Sequence, residues 1–571
     1  MLTTTSSHVL NNARRCCSSS RLVRLISTST EQKDVVIVGG GPAGLAFAAA
    51  LGSSKVVSEN LRITLIEAGD LSKTKAWTQP EGTFSNRVSS ITNSSRGFLE
   101  DIGAWSLVDQ GRTCSIEEMQ IWDGVSDARI TFSASDSMFP GGRPRELSRL
   151  TENLNLQRAL LHQLASNPSV ELADKVKVES ITREENSEDS IGGGWPLVHL
   201  SDGRTIRARL LVGADGFNSP VRKYAGIQSY GWAYDTHGVV GTLFHEPRGP
   251  YMPPNTIAYQ RFLPTGPIAF LPLSETASSM VWSTKPYLAS ALKSLDPAVL
   301  ACMINAAFRL PEVSVRYLHT RILEAAKAGT PLSLKQVREE IEFRERSHDI
   351  STRSAYSSLS LTNSSGIPPE DADSLPPLVT GIQPGSVASF PLRFSHAESY
   401  IGEGAGSRTV LLGDAAHTTH PLAGQGLNMG LGDAESLSKC IHNAVLRGGD
   451  IGSYSSLAPY PLERYFENHK LLAAVDKLHK LYSFTAEPVV WARSVGVEVL
   501  NELDTVKTAM MMQAGSHRNM PRPGRVGIDV ATNGLEMFAS GLNTARSIGE
   551  GAVGILGAVV KQLVNPTVRR K

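Results

Sequence analysis

The sequence lacks three features that would direct the search for function elsewhere. No uninterrupted run of about 18 apolar residues occurs, so no membrane-spanning helix is predicted. The formal net charge of +1 provides no basic surface for nucleic acid, and we expect no nucleic acid partner. The five cysteines have no metal-ligand spacing and do not suggest a disulfide framework; they are Cys16, Cys17, Cys114, Cys302 and Cys440. The 571 residues suffice for two or three domains or one interleaved pair.

Acidic residues are absent from the beginning of the chain, where Glu31 is the first. The preceding segment has no apolar core of a secretory signal, but it is rich in serine and threonine and contains Arg14, Arg15, Arg21 and Arg24. This composition is typical of a mitochondrial transit peptide, which we predict for residues 1–30. The alternative is a disordered basic tail.

A glycine-rich turn that follows the leader is the motif around which the chain is organised. The β-branched run Val35–Val38 predicts a buried parallel strand, and Gly39, Gly41 and Gly44 follow it in the G-x-G-x-x-G spacing. In this motif the first glycine permits a tight turn, the second lets the backbone approach a pyrophosphate, and the third lets the next helix pack closely. That helix, predicted over Pro42–Leu51, would direct the partial positive charge of its N-terminus at a diphosphate.

An acidic residue follows at the distance expected for a ribose contact. A second predicted strand, Arg62–Ile66, ends in Glu67, about 20 residues beyond the glycines. The glycine spacing alone is weak evidence, because Gly549, Gly551 and Gly554 match it without a preceding strand or a following acid. The first match combines strand, turn, helix and acid, so it predicts a dinucleotide site, with an ordinary β-α-β turn as the alternative.

A second motif follows a predicted β-hairpin. Alternating apolar and polar residues over Leu197–Val212, with an Asp-Gly turn at 202–203, predict the hairpin. Asp215 then stands beside a tight turn that Ser219 and Arg222 can anchor. The alternative is an Asx-capped turn without a ligand.

A third motif starts with a predicted buried strand that leads from Arg408 to Gly413 and Asp414. Asp414 is a candidate acceptor for ribityl hydroxyls. The segment Gly424–Gly430 leads into a helix predicted over Leu431–Arg447, whose N-terminus would stabilise a reduced, anionic flavin.

Two histidines in the third motif, His417 and His420, stand three residues apart. Pro421 follows them and no third ligand is in sight, so we predict structural or pocket-lining roles and no metal site.

The other segments predict a mixed fold. Strand-like stretches are Ile116–Phe139 and Tyr251–Pro286, and helical patterns cover 94–103, 150–165 and 460–484. An insertion is predicted where helical patterns precede a Ser- and Pro-rich loop; these patterns are Ala291–Arg309, Val315–Lys327 and Leu334–Arg346. The apolar stretch Ile548–Val564 is interrupted by charges and predicts a packing helix, with a membrane-surface contact as the alternative.

In this order, the three motifs resemble those of the class A flavoprotein monooxygenases, the para-hydroxybenzoate hydroxylase-like group. The resemblance implies that the glycine turn binds the ADP half of FAD and the third motif the ribityl and flavin half. The Asp215 motif would contact FAD and help to accommodate a reduced nicotinamide nucleotide. Ala258–Leu273, Phe390–Leu392 and Gly413–Asn428 resemble the ubiquinone-biosynthesis hydroxylases, and the leader and insertion resemble their eukaryotic mitochondrial members. The candidate cofactor-binding residues are Gly39, Gly41, Gly44, Glu67, Arg87, Gln157, Asp215, Gly413, Asp414, Gly424, Gly426 and Asn428.

The resemblance also implies an α/β fold. A Rossmann-like FAD-binding domain would be interleaved with a β-sheet substrate domain and followed by C-terminal helices. The predicted division is transit peptide 1–30, first part of the FAD-binding domain 31–225 with substrate-domain strands near 116–145, substrate-domain sheet 226–287, helical insertion and loop 288–385, second part of the FAD-binding domain 386–484, and C-terminal helical region 485–571.

The implied activity is hydroxylation of the aromatic ring of a polyprenylated phenol or hydroxybenzoate in ubiquinone biosynthesis. Reduced FAD and dioxygen would form a flavin 4a-hydroperoxide, while the protein binds, orients and excludes water. The sequence identifies no general base or other catalytic residue. Electrons would come from a reduced nicotinamide nucleotide or an electron-transfer protein. The polyprenyl tail implies peripheral attachment to the matrix side of the mitochondrial inner membrane, within a biosynthetic complex.

Two other functions remain open from the sequence. One is a flavin reductase or dehydrogenase of an isoprenoid substrate on the same fold. The other is a non-catalytic FAD-binding scaffold of a mitochondrial complex, because a fold does not guarantee activity. A halogenase is disfavoured, since no Trp-x-Trp-x-Ile-Pro run occurs.

Overall fold

The computed structural model of the chain describes residues 30–136, 146–184, 194–249, 252–359, 372–419 and 424–502. The strands in these ranges are β1 Glu31–Val38, β2 Ile63–Ile66, β3 Val88–Thr92, β4 Thr113–Ile116, β5 Glu118–Asp123, β6 Arg129–Ser133, β7 Ser148–Glu152, β8 Val170–Ala173, β9 Val178–Arg183, β10 Pro196–Leu200, β11 Thr205–Gly213, β12 Ser229–His245, β13 Ile257–Leu263, β14 Gly266–Pro272, β15 Ala277–Thr284, β16 Val379–Ile382, β17 Ala388–Ala397, β18 Thr409–Leu411 and β19 His417–Thr418.

The α-helices in the same ranges alternate with the strands in the first half of the chain and cluster in two groups later. They are α1 Pro42–Ser53, α2 Lys55–Ser58, α3 Leu71–Lys75, α4 Asn93–Asp101, α5 Asn153–Ala165, α6 Pro220–Tyr224, α7 Pro286–Lys293, α8 Pro297–Arg309, α9 Glu312–Lys327, α10 Leu334–Ser347, α11 Gly426–Leu446, α12 Tyr454–Leu457, α13 Pro459–Ser483 and α14 Glu487–Glu502.

The strands in the described ranges form three sheets. The first, which we call the nucleotide sheet, has the order β8-β2-β1-β11-β10-β9, with β18 also paired to β11. Its strands β8, β2, β1, β11 and β18 run parallel, whereas β9, β10 and β11 are antiparallel neighbours. The large sheet has the order β19-β17-β12-β15-β14-β13-β5-β6, with β16 beside β12, and the small sheet has the order β3-β7-β4.

The nucleotide sheet forms as its sequence pattern predicts. Val35, Val36 and Ile37 are fully buried, which explains why β1 is apolar on both faces and pairs with parallel neighbours on both sides. The main core packs α1, α5 and α11 against this sheet. The predicted hairpin at 197–212 is confirmed by the antiparallel pairing of β10 with β11.

The large sheet is buried on one face by the helices α7 to α10. Alternate side chains of its strands, such as Val239 in β12 and Trp282 in β15, join a core with Met303 and Phe308 of α8 and Ile341 of α10. The opposite face carries a smaller cluster that also contains side chains from the small sheet. The helical segment predicted as an insertion therefore supplies one wall of the large sheet.

Three predicted elements differ from the observed ones. The helix predicted from Ala291 to Arg309 is two helices, because Asp296 caps α8 through the Ala298 N–H (2.9 Å) and Pro297 occupies its first turn. The pattern at 150–165 begins as β7, whose pairing with β3 and β4 overrides its helical periodicity, and the helix starts at Asn153. The third-motif helix starts at Gly426, five residues before the predicted start.

The large sheet also crosses a predicted domain boundary. The sequence predicts an insertion that ends at 385 and a second part of the FAD-binding domain at 386–484, but β16 and β17 pair with β12 in the large sheet. The large sheet thus includes residues up to Ala397 in β17 and also His417–Thr418 in β19. The apolar stretch at 548–564, the second glycine match at 549–554 and the leader lie outside the described residues.

Candidate functional site

The register of the nucleotide sheet brings the three motifs together. Val38, the last residue of β1, pairs with Ile66 on one side and with Gly213 on the other. Gly213 pairs in turn with Leu411 of β18. Because these strands are parallel, the residues that follow them meet at one edge of the sheet, and that edge is where open α/β folds bind ligands.

Close contacts require two of the three glycines of the first motif, and the third faces open space. Gly39 has φ +112°, and a Cβ there would lie 2.2 Å from the Ala214 carbonyl oxygen. A Cβ on Gly44 would lie 2.1 Å from the Gly39 carbonyl oxygen, so the start of α1 packs directly on the turn. At Gly41, by contrast, a Cβ would meet nothing within 4 Å. Gly41 therefore faces open space at the N-terminus of α1.

Glu67 and Gln157 hold this turn from two sides. The Glu67 carboxylate accepts the backbone N–H groups of Gly40 and Gly69, each at 2.6 Å. The Gln157 amide on α5 donates to the Gly40 carbonyl oxygen at 3.3 Å. A carboxylate offers about four acceptor positions, so Glu67 retains capacity for ribose hydroxyls.

Arg87 lies just before β3, and its side chain is exposed. Its carbonyl oxygen accepts the Asn153 N–H (3.0 Å) at the start of α5, the helix that carries Gln157. Its backbone therefore lies one helical turn from Gln157, and its role as a cofactor contact stays a prediction.

Asp215 carries an unused acceptor at the same edge. One carboxylate oxygen accepts the Val221 N–H at 3.1 Å, and the other is buried without a hydrogen-bond partner. Burial raises the pKa of Asp215, although hydrogen bonds from Ser219 and Val221 oppose the shift. A hydroxyl donor from a ligand would satisfy the free oxygen.

Asp414 follows β18 on a turn that begins with Gly413. Gly413 has φ +59°, and a Cβ there would lie 3.2 Å from the Ala43 side chain at the start of α1. The third motif therefore packs on the first. Burial by the surrounding protein raises the pKa of Asp414, with His417 opposing the shift, yet the residue as a whole is exposed to solvent. This combination describes a side chain at the wall of a cleft.

Gly424, Gly426 and Asn428 lead into and begin α11. Gly424 adopts φ +59°, and Gly426 is the first residue of the helix. The Asn428 amide is used by β3: it donates to the Ser90 carbonyl oxygen (2.7 Å) and accepts the Thr92 N–H (3.1 Å). The observed contacts make Asn428 a link between α11 and the small sheet.

The buried ion network behind the third motif was not predicted from the sequence. Asp433 of α11 accepts from His417 at 2.6 Å and from Arg464 at 3.0 Å. His417 is therefore structural, as predicted, whereas His420 lies outside the described residues. Asp433 is the one acidic residue in the run 429–434, whose other residues are small or apolar. That pattern is the sequence feature from which a buried acid on one face of the helix could have been predicted. Across the described ranges, His, Cys, Asp and Glu form no group of three or more able to hold a metal.

The residues at this edge fit an FAD. Gly41 leaves room for a pyrophosphate beside the free N–H groups of α1, and Glu67 stands at the end of β2, where a ribose would lie. Asp215 and Asp414 offer acceptors on the remaining part of the edge. Nine of the candidate residues thus lie at this edge of the nucleotide sheet or directly behind it. Arg87 is exposed, and the side chains of Gln157 and Asn428 hydrogen-bond to neighbouring backbone groups.

Comparison with known proteins supports the same assignment. A family model described as an FAD binding domain matches residues 140–328 and 382–464. The interval between the two matched segments lies inside the predicted insertion.

Curated relatives match most of the chain. The ubiquinone biosynthesis monooxygenase COQ6, mitochondrial, of Schizosaccharomyces pombe is 37% identical over 479 residues, which cover 82% of this chain and 89% of the relative. The protein of the same name from Homo sapiens is 36% identical over 472 residues, which cover 82% of this chain and 90% of the relative.

Solved structures share the fold. The p-nitrophenol 4-monooxygenase PnpA from Pseudomonas putida has a TM-score of 0.56 at 16% identity and covers 86% of this chain and 100% of its own. PqsL from Pseudomonas aeruginosa, in complex with 2-aminobenzoylacetate, has a TM-score of 0.52 at 19% identity, with 79% and 97% covered. At these identities the likeness shows the fold, and it confirms the predicted fold class.

Proposed function

The chain belongs to the family of ubiquinone biosynthesis monooxygenases COQ6, and on that premise we propose that it hydroxylates the ring of a polyprenylated phenol or hydroxybenzoate. It is an FAD-dependent monooxygenase, as the sequence predicted, and its reaction uses a phenolic substrate and dioxygen. The polyprenyl tail and the hydroxybenzoate alternative are the parts we propose.

The observation that carries the proposal is the convergence of the three motifs at one edge of the nucleotide sheet. Gly41 and the start of α1 would hold the pyrophosphate, Glu67 the ribose, and Asp414 the ribityl chain. Bound FAD supplies the activation of dioxygen and the transfer of one oxygen atom to the ring. The chain binds and orients both reactants and keeps water away.

The face of the large sheet opposite α7 to α10 is apolar where it meets the small sheet. Ala258 of β13, Ala277 of β15 and Leu273, which follows β14, form a buried cluster with Phe84 and with Leu150 of the small sheet. A phenolic ring with a hydrocarbon tail suits such a wall. We assign no general base, because none of these side chains can move a proton.

The experiment that tests the reaction uses heavy dioxygen. Purified, flavin-loaded protein is incubated with a polyprenylated hydroxybenzoate or phenol, chemically reduced flavin and isotopically heavy dioxygen, and the product is analysed by mass spectrometry. We expect one heavy oxygen atom in the ring. Chemical reduction removes the need to know the donor, for which we propose a reduced nicotinamide nucleotide or an electron-transfer protein.

A flavin-free Gly41→Val protein serves as the matched control and should give no labelled ring. Release of all consumed oxygen as peroxide, with an unaltered ring, would refute the proposed substrate class. Turnover of the substrate without any oxygen consumption would instead favour a reductase or dehydrogenase.

We further propose that the protein works in mitochondria, attached peripherally to the matrix side of the inner membrane in a ubiquinone-biosynthesis complex. The relatives are named mitochondrial, and in the part of the chain that the structure describes no helix is long and apolar enough to cross a membrane. The leader composition supports import, and the tail of the substrate supports access to a bilayer.

An exposed stripe on α13 supports the membrane contact. Leu462 and Phe466 are 81% and 60% exposed, and successive positions on the same side of the helix carry Lys470, Lys477 and Lys480. Lys470 lies 4.2 Å from the Phe466 ring centre, and Lys480 lies 4.8 Å from that of the exposed Trp232. Apolar and aromatic groups among lysines suit the surface of a bilayer that contains anionic lipids.

Vesicle sedimentation tests this surface. Wild-type protein should sediment with vesicles that contain an anionic phospholipid, and less with purely zwitterionic vesicles. The double variant Leu462→Ser/Phe466→Ser should lose most of this binding, whereas Phe343→Ser, at an equally exposed position of α10, should retain it. Equal sedimentation of all three proteins would contradict the assignment of α13.

A further inference from the structure

A fully buried carboxylate lies behind the turn that carries Asp414. Asp433, on the second turn of α11, has 0% of its surface exposed. One of its oxygens accepts from His417 Nε2 at 2.6 Å and from the Gly413 backbone N–H at 3.2 Å. The other accepts from Arg464 Nε and from Asn468 Nδ2, each at 3.0 Å. All four acceptor positions of the carboxylate are therefore used.

The charge of Asp433 is stabilised by these donors. Burial alone would raise its pKa, but the opposing charges and hydrogen bonds of His417 and Arg464 outweigh burial and hold the pKa well below the usual range. Burial alone would lower the pKa of Arg464, but the charge of Asp433 and its hydrogen bond raise that pKa above its usual value. At neutral pH the carboxylate is therefore an anion that accepts hydrogen bonds from the turn and from α13 at the same time.

The four donors come from separate parts of the fold. Gly413 and His417 flank Asp414 in the third motif, whereas Arg464 and Asn468 belong to α13. At its other end, α13 contacts the large sheet through two of its own side chains. Asp476 accepts a hydrogen bond from Tyr234 of β12 at 2.9 Å, and Tyr482 stacks on Phe262 of β13 at 4.1 Å between ring centres. One helix is thus linked to the Gly413–Asp414 turn through Asp433 and contacts the large sheet directly.

We propose that Asp433 is a positioning residue for FAD, which fixes the Gly413–Asp414 turn and makes its position depend on α13. Gly413 donates its backbone N–H to this carboxylate, so the carboxylate sets where the next residue, Asp414, stands in the cleft. Arg464 and Asn468 set where the carboxylate stands. FAD affinity therefore responds to changes in α13 that contact no candidate cofactor residue.

An anion is required at this point because all its neighbours are donors. Asparagine at 433 would keep the size of the side chain, but its NH₂ group would face either the His417 and Gly413 donors or the Arg464 and Asn468 donors. One pair would lose its acceptor, and a buried charge-assisted hydrogen bond would be left unmade.

The test measures the FAD dissociation constant by titrating apoprotein, which requires no substrate. Failure of this inference is thus distinguishable from failure of the proposed substrate, although both rest on FAD at this edge. We expect Asp433→Asn to weaken FAD binding by about 10-fold or more, in line with the loss of a charged hydrogen bond. The matched control is Glu463→Gln, which neutralises a carboxylate that joins the same two helices (it accepts from Ser436 at 2.7 Å) without touching the turn. It should change the dissociation constant by less than about 2-fold.

A second pair of variants separates positioning from general stability. Arg464→Gln should weaken FAD binding although Arg464 contacts neither Gly413 nor Asp414, and Arg464→Lys should recover part of the loss by keeping the charge. Wild-type FAD affinity in folded Asp433→Asn, with only a lower melting temperature, would overturn the positioning role. Wild-type affinity in Arg464→Gln would overturn the link to α13. If Asp433→Asn does not fold, the Arg464 pair alone decides.

Discussion

Two glycines of the first motif should respond in opposite ways to substitution, which separates a folding role from a ligand role. Gly39 has φ +112° and contacts Ala214, whereas Gly41 has φ −69° and faces open space. We predict that Gly39→Ala mainly destabilises the protein. We predict that Gly41→Val leaves the apoprotein folded but without FAD, because the new side chain occupies the space of the pyrophosphate.

The magnitudes follow from the geometry. At Gly39, a left-handed conformation costs a non-glycine residue about 1–2 kcal/mol, and relieving a 2.2 Å contact with backbone adds about 1–3 kcal/mol. The expected loss in free energy of unfolding is therefore about 2–5 kcal/mol. At Gly41 the backbone suits any residue and no atom lies within 4 Å, so apoprotein stability should change by only about 0.5 kcal/mol.

The assay compares chemical unfolding of the three apoproteins with their flavin absorbance as purified. We expect Gly41→Val to unfold like wild type and to lack the yellow flavin spectrum. Flavin content equal to wild type in Gly41→Val would refute the placement of the pyrophosphate. An apoprotein of Gly41→Val as unstable as Gly39→Ala would refute the structural distinction between the two positions.

Three further predictions concern stability and processing. Burial lowers the pKa of His319 to about 4, below the value of about 6.5 in the unfolded chain. The contribution of neutral His319 to stability is therefore complete above about pH 6.5 and is lost as the pH falls towards 4. Between pH 6.5 and 5 the free energy of unfolding of wild type should fall by about 2 kcal/mol and that of His319→Leu should not, as followed by denaturation at each pH. Asn428→Ala breaks two bonds to the β3 backbone and should cost about 1–3 kcal/mol in the unfolding free energy of the apoprotein, whereas unchanged stability would show that β3 is held by other contacts. Residues 1–30 should be absent from the mature mitochondrial protein, and N-terminal sequencing that begins at Met1 would contradict a cleaved leader.

The local parts of the site were readable from the sequence because they depend on backbone chemistry. Gly44 packs on Gly39 within one strand-turn-helix unit, and the glycine spacing implies both residues, although the close contact of Gly39 is with Ala214 after β11. Asn428 was read as a cofactor ligand because its motif lies beside the flavin in the family that the chain resembles. In the structure its side chain hydrogen-bonds to Ser90 and Thr92, which lie 338 and 336 residues away in the sequence, and no local sequence pattern predicts such a contact.

The sequence by itself predicted a dinucleotide site and the order of the three motifs, because strand periodicity and glycine turns are local properties. Its resemblance to the class A flavoprotein monooxygenases implied the fold class and FAD. Only the tertiary structure decided which side chains meet. The register of β1, β11 and β18 places Gly39, Asp215 and Asp414 at one edge, and the packing of α13 on α11 closes a buried network around Asp433. Such contacts depend on how segments distant in the sequence pack together. A charge that is buried on folding needs partners, but the sequence does not identify which residues these are.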